Sequence, residues 1–351
     1  MNITQEARDA ISKFKLPQEV GFGQVLAPVM ASCDYENGKW GDLEIIPYGP
    51  IKLYPTAKVF HYAQEIFEGM KAYKADGNGP FLFRPLENFH RFNFSAKRMA
   101  IPEISEEVFM GAVNTIVSLC SDFIPEEAGS SLYIRPFIFA TEENLGIKPS
   151  QKFKFMVVAS PSGTYYSAGA MSVLIQREMV RAFPGGTGAA KTGGNYAGSL
   201  LSNVEAAKKG YMNSLWLDAK EHTYIEELSG MNFFAVYGNE LVTPPVSDTI
   251  LDGITRKSLI DLAELSGIKV SVRKININEL LEDIEQKRCT EAFACGTAAI
   301  ITPIEYFGDD SGQKYSFEKA PGEMSTQLRE MLLDIQEGRR SGPENWVIKI
   351  D

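Results

Sequence analysis

FPGGTGAAKTGGNY, residues 183–196, sets five glycines around a single lysine, Lys191. Glycine lets a backbone bend freely and pass close to a ligand. A lysine held in a crowded, partly dry pocket can lose its proton and act as an amine nucleophile or base. Two other readings compete. One is a surface loop with a solvated lysine. The other is a nucleotide-binding P-loop, but Gly185-x-x-x-x-Ala190-Lys191-Thr192 has alanine where that motif requires glycine. A P-loop also starts a helix directly after its lysine, and Gly193-Gly194 are expected to interrupt one.

Outward from this segment, the chain alternates helical and strand patterns. Residues 1–20 read as a short polar helix. Residues 58–74 and 81–84 read as strands, with Gly77-Asn78-Gly79 as the turn between them. Helices are expected over about 87–99 and about 105–120, the second with Val108, Phe109, Val113, Ile116 and Val117 on its apolar side. Leu132 to Ala140 reads as a strand, so Tyr133, Arg135 and Phe137 point the same way. Phe153 to Ala159 is another strand. The small residues of PSGTYYSAGA, 161–170, mark a boundary.

Beyond the boundary come a strand at 171–179, a helix over roughly 198–209 stopped by Gly210, and strands at 213–218 and 223–227. A hairpin turns at Gly238-Asn239, and a helix at about 255–266 ends at Gly267. The expected fold is mixed α/β (α+β) in two domains: a smaller one over 1–164, a linker over 165–172 and a larger one over 173–351.

Charge narrows the function. The 351 residues carry 35 basic and 45 acidic side chains, a net −10, which disfavours nucleic acid and anionic membranes as partners. No run of about 18 apolar residues predicts a membrane span, and the N-terminal stretch lacks the apolar core of a signal peptide. Cys33, Cys120, Cys289 and Cys295 form no C-x-x-C pair or metal spacing, and His61, His90 and His222 are scattered. Reduced thiols and a cytoplasmic location are the expectation.

Three further segments carry chemistry. Asp252-Gly253-Ile254-Thr255 precedes a helix, whose first N–H groups and dipole favour an anion. Glu226 and Glu227 lie side by side in a strand and should face opposite ways. Arg135 sits within an apolar strand, where a guanidinium without a partner would be costly.

Eight stretches resemble the branched-chain-amino-acid aminotransferases of the pyridoxal-5′-phosphate (PLP) fold type IV class. They are HYAQEIFEGMKAY, FHRFNFSAKR, SLYIRPFIFATEENLGIKPS, VRAFPGGTGAAKTGGNYAGSL, SLWLDA, GMNFFAV, TPPVSDTILDGITRKSLIDLA and EAFACGTAA. They run in the family's order through most of the chain. The resemblance implies that PLP lies between the two domains, with the larger one its binding domain. Lys191 would carry the cofactor and move the substrate proton. Glu227 would hold a proton on the ring nitrogen, and Tyr196 would hydrogen-bond the phenolic oxygen. Arg91, Ile254, Thr255 and Thr297 would hold the phosphate.

The same resemblance assigns Tyr62, Phe67 and Tyr165 to an aromatic wall for aliphatic side chains, and Tyr133 and Arg135 to a polar patch. The backbone of Thr297 and Ala298 would meet the substrate carboxylate. The implied reaction is amino transfer between leucine, isoleucine or valine and 2-oxoglutarate, in a homodimer. D-amino-acid transamination and aminodeoxychorismate lyase chemistry are the alternatives within the class. Some longer relatives carry a C-x-x-C redox switch after the Gly-Thr turn. Ala299 and Thr302 stand there in this chain, so the switch is expected to be absent.

Overall fold

Ser131–Ala140 is a strand whose residues alternate between buried and half-buried along most of its length. Leu132, Ile134 and Ile138 fill the core, while Tyr133, Arg135 and Phe137 share the opposite face. In this computed structural model, which describes residues 1–163, 169–309 and 311–350, that strand lies inside a sheet. Its neighbours are Phe153–Ser162, paired antiparallel over its full length, and Met70–Ala75. Glu65–Phe67 pairs with its far end, setting Phe67 opposite Phe137. Helices Pro85–Arg98 and Glu106–Leu119 cover this sheet. Phe92 and Phe109 pack against Phe155. Fully burying one such ring contributes about 1.5–3 kcal/mol.

The second sheet is built differently. Met171–Gln176 runs parallel to both Asn213–Leu217 and Ile300–Gly308. Glu291–Gly296 and Met231–Tyr237 continue the sheet, and Ile225–Leu228 pairs with both Asn213–Leu217 and Met231–Tyr237. Among the described residues these strands therefore close into a ring. Helices Ile254–Leu265 and Ile277–Glu285 accompany it.

The chain divides into two compact units that do not follow it continuously. Met1–Tyr165, Ala190–Gly193 and Asp334–Asp351 form one; Tyr166–Ala189 and Gly194–Leu333 form the other. The fold is mixed α/β, as the periodicities indicate.

Several local expectations are corrected. Residues 58–62 form a helix, Lys58–Tyr62, ended by Ala63 in the left-handed conformation at φ 46. The cause is tertiary: Lys58 is fully buried, and its Nζ donates to Glu142 Oε2 at 3.1 Å and to the Lys148 carbonyl at 2.9 Å. The turn before Asn78–Phe83 falls on Asp76 and Gly77, both at positive φ, which places Gly79 inside the strand. The helix expected at 198 begins at Gly193 instead. Gly193 and Gly194 therefore open a helix rather than break one. The chain enters it under tertiary restraint, because the Gly193 N–H donates to the Glu65 carboxylate and a Cβ there would lie 2.4 Å from Glu65 Oε1.

Candidate active site

In the first unit the main chain around Lys191 is braced on three sides. The Lys191 N–H donates to the Ser95 hydroxyl at 2.9 Å, and its carbonyl accepts from the Phe67 N–H at 3.0 Å. The Thr192 hydroxyl donates to the Glu65 carbonyl at 2.8 Å. The Lys191 amine lies 4.8 Å from the centre of the Phe67 ring, a cation–π distance. Such a lysine is held by its backbone while its side chain stays half-buried.

Asn88, Arg91 and Ser95 stand at i, i+3 and i+7 on the helix Pro85–Arg98 and so share a face. That face meets Glu68, which is fully buried. Arg91 grips Glu68 bidentately, Nε to Oε1 at 2.7 Å and Nη2 to Oε2 at 2.8 Å, and Asn88 adds a donor at 2.7 Å. Burial pushes the Glu68 carboxyl up, but the charge and hydrogen bonds of Arg91, the charge of Lys191 and Asn88 outweigh it. The group is held below the ordinary carboxylate range.

Beside them, the Arg135 guanidinium stacks 4.6 Å from the Phe67 ring and donates to the Tyr133 hydroxyl at 3.1 Å. Its Nε is buried and has no hydrogen-bond partner among the described residues. A Cβ on Gly69 would lie 2.1 Å from the Tyr133 hydroxyl, so this position accepts only glycine without displacing the tyrosine. Phe67, Tyr133, Arg135 and Lys191 are thus brought together. Tyr62 is exposed at the end of its short helix, with its hydroxyl donating to the Leu145 carbonyl. Tyr165 lies outside the described residues.

The second unit holds the acidic pair. Glu227 is buried; Arg181 Nη2 lies 2.8 Å from its Oε1, and Asn232, its cross-strand partner, donates to Oε2 at 2.9 Å. Glu226 is also buried, and its carboxylate meets the Thr249 hydroxyl while that of Glu227 meets Arg181 and Asn232. The residue faces a different set of groups, described below.

The N-cap of the helix Ile254–Leu265 is Gly253, which has no side chain to occupy the orphan N–H groups of the first turn. A Cβ on Gly253 would lie 1.9 Å from Asn232 Oδ1. Ile254 and Thr255 are buried in that first turn, and the neighbouring Arg256 turns away to the Pro244 carbonyl at 2.8 Å. Thr297 and Ala298 form the half-exposed turn between Glu291–Gly296 and Ile300–Gly308. Ile300, a β-branched residue, closes this turn at φ 63, a conformation of the kind that clusters at ligand sites. Tyr196 is half-buried in the first turn of the helix that begins at Gly193.

The four cysteines are free and buried. Burial pushes the Cys33 thiol up to about 11 and those of Cys120 and Cys289 up to about 12; Cys295 is also raised. Thiolates are the reactive form, so these groups are poorly nucleophilic at neutral pH. Among the described residues no cluster of His, Cys, Asp and Glu could hold a metal, and no helix is long and apolar enough to cross a membrane.

The family profile described as amino-transferase class IV matches residues 65–306. The branched-chain-amino-acid aminotransferase of Mycolicibacterium smegmatis is 43% identical over 99% of this chain and 96% of its own length. This chain belongs to the class IV branched-chain-amino-acid aminotransferases. The branched-chain-amino-acid transaminase 1 of Bacillus subtilis is 42% identical over 95% of each chain. Among solved structures, the T.th. branched-chain amino acid aminotransferase with pyridoxamine 5′-phosphate superimposes with a TM-score of 0.75 at 30% identity, covering 92% of this chain and 99% of that one.

Within this aminotransferase, four polar residues around the expected site escape a reading of the sequence. Glu65 and Glu68 both lie inside HYAQEIFEGMKAY, and Arg181 inside VRAFPGGTGAAKTGGNYAGSL, with no role assigned to any of them. Thr249 lies inside TPPVSDTILDGITRKSLIDLA, again with no role assigned to it. Each acts through a partner distant in the chain, and no local pattern announces such a pair.

Proposed function

We propose that this branched-chain-amino-acid aminotransferase moves amino groups between leucine, isoleucine or valine and 2-oxoglutarate, with PLP carried on Lys191. The observation that carries this reading is the bracing of Lys191 by Glu65, Phe67 and Ser95, which fixes the chain and leaves an amine poised over an aromatic ring. The residues present fit such a cofactor by their donor chemistry. An amine, a buried carboxylate oriented by Arg181 and Asn232, and a helix N-terminus without a side-chain cap match its carbonyl, ring nitrogen and phosphate. The T.th. relative with pyridoxamine 5′-phosphate supports the same cofactor.

When bound, PLP supplies the electron sink for the charge released at the substrate Cα. Lys191 then takes up and returns the Cα proton. Glu227 holds a proton at the ring nitrogen, an electrostatic task that grows as charge develops. Arg91, Ile254, Thr255 and Thr297 hold the phosphate, and Tyr196 donates to the phenolic oxygen. Glu68 positions Arg91, because its carboxylate fixes two guanidinium nitrogens.

The substrate must present either an aliphatic or an acidic side chain to one pocket. Phe67 supplies the apolar wall, to which the family resemblance adds Tyr62 and Tyr165, and Tyr133 with Arg135 receives the carboxylate of glutamate. The bare Nε of Arg135 supports this, since it leaves a buried donor for an incoming oxygen. Thr297 and Ala298 offer backbone N–H groups to the α-carboxylate. A coupled assay of leucine with 2-oxoglutarate, run beside the visible spectrum, tests the whole reading. A colourless protein that releases no glutamate would refute it.

Two attributes complete the proposal. The enzyme works as a homodimer, supported by the exposed apolar side chains of Tyr54, Phe60, Leu145 and Ile147, which a second copy would cover. It resides in the cytoplasm, supported by four free buried cysteines. Light scattering of the purified protein tests the first, and fractionation of source cells the second.

A further inference from the structure

Glu226 is a buried titratable group with no part in the chemistry above. Its Oε1 accepts from the Thr249 hydroxyl at 2.5 Å, and its Oε2 is buried with no hydrogen-bond partner among the described residues. The nearest cation, Arg181, makes its contacts elsewhere through Nη2, and its Nε is buried with no hydrogen-bond partner among the described residues, Glu226 included. Arg181 donates to Glu227 at 2.8 Å, to the Gly188 carbonyl at 3.2 Å and to the Thr249 carbonyl. Thr249 therefore ties the two carboxylates into one cluster: its hydroxyl serves Glu226, and its carbonyl holds the guanidinium that serves Glu227.

An ionised carboxylate needs several donors when water is excluded. Glu226 has one, from a hydroxyl that also shares a 2.8 Å hydrogen bond with Ser247. The groups that face it from the surrounding elements are Arg181, ahead of the glycine-rich segment; Asp218, at the end of Asn213–Leu217; and Asp248 and Thr249, ahead of the helix Ile254–Leu265. Two of these are further carboxylates. Burial pushes the Glu226 carboxyl up to about 7, against the Thr249 hydroxyl and Arg181, and the charges of Asp218 and Asp248 push the same way.

We propose that Glu226 keeps its proton up to the neutral pH range and is a positioning residue for Glu227, because that proton leaves the whole charge of Arg181 to the Glu227 carboxylate. When Glu226 ionises, one guanidinium serves two buried anions, and the field at Glu227 changes. The inference rests on the proposed role of Glu227 at the ring nitrogen. It adds a group that tunes this role within the neutral pH range.

The sign of the stability effect follows from the direction of the shift. A carboxyl raised in the folded state binds its proton more tightly there than in the unfolded chain. Its contribution is complete below the ordinary value of 4.5 and is lost as pH rises from 4.5 to about 7. Glu226→Gln keeps the shape and the neutral state but cannot ionise.

Infrared difference spectra of the wild type, Glu226→Gln and Glu227→Gln, with and without cofactor, test the protonation directly. The wild type and Glu227→Gln should show a carboxylic-acid carbonyl band at about pH 5.5 that fades toward about pH 8.5, and Glu226→Gln should lack it. The melting temperature of Glu226→Gln should rise relative to wild type as pH increases from 4.5 to about 7 and level off above it, with or without cofactor. The pH profile of kcat/KM should lose its inflection near neutrality in Glu226→Gln. A wild type without the band, or a Glu226→Gln that keeps it, overturns the neutral acid. A band that behaves as expected beside an unchanged inflection overturns the link to Glu227. Failure of the functional reading is separate: it leaves the wild type colourless and inactive whatever the infrared spectra show.

Discussion

Arg181 Nη2 lies 2.8 Å from Glu227 Oε1, and both side chains are almost fully buried. Asn232 holds the other oxygen of the same carboxylate from the adjacent strand. The carboxylate is therefore fixed in orientation before any ligand arrives. Preorganisation of this kind is what makes a single charge effective in a dry site.

Glu227→Gln should slow both half-reactions about 100- to 1000-fold, matching the roughly 2.7–4 kcal/mol lost when one preorganised electrostatic contact is removed. Glu226→Gln should slow them far less. Single-turnover rates for the two variants decide between the neighbours, and equal losses would refute the assignment to Glu227.

Lys191→Ala should abolish the visible band and turnover together. Borohydride reduction of the wild type followed by peptide mapping should place the pyridoxyl label on the peptide that contains Lys191. A label on another lysine sinks the assignment. The fold should survive the substitution, because Glu65, Phe67 and Ser95 hold the Lys191 segment largely through its backbone.

Arg135→Leu should separate the two substrates. The Arg135 Nε has no hydrogen-bond partner among the described residues, and the Phe67 ring lies 4.6 Å from the guanidinium. Removing one member of a buried charged pair costs about 2–5 kcal/mol. At about 1.4 kcal/mol per factor of ten, kcat/KM for glutamate and 2-oxoglutarate should fall roughly 30-fold or more, and that for leucine only modestly. Stopped-flow measurement of each half-reaction reads this out. If both fall together, Arg135 is a structural residue.

Glu68→Gln should destabilise the enzyme and weaken cofactor retention. It takes away the carboxylate that faces Arg91, and breaking a buried pair typically costs about 3–5 kcal/mol. The pH dependence has the opposite sign to that of Glu226. The folded-state carboxyl is depressed, so its stabilisation is complete above the ordinary value of 4.5 and is lost as pH falls below it. Denaturant titrations between about pH 3 and about pH 7 should show the wild-type advantage over Glu68→Gln shrinking toward acid. A constant difference would contradict the assignment.

The sequence by itself determined those features that short-range physics controls. The two-residue repeat of Ser131–Ala140 put Tyr133 and Arg135 on one face, and that face was found. The apolar spacing of 105–120 placed the helix Glu106–Leu119 within a residue, and Gly267 ended its helix in the left-handed region. The glycine-dense segment singled out Lys191, because glycine density is visible without any partner. Only the tertiary structure decided where the flanking helix begins, because Glu65 receives the Gly193 N–H from a distant strand. It alone made residues 58–62 a helix, by burying Lys58 against Glu142 and Lys148. It also brought Arg181 to Glu227, Thr249 to Glu226 and Glu68 to Arg91. A buried charge is tolerated only beside its partner, and here the chain supplies that partner from 23 to 84 residues away. No periodicity of 2 or 3.6 residues carries that information.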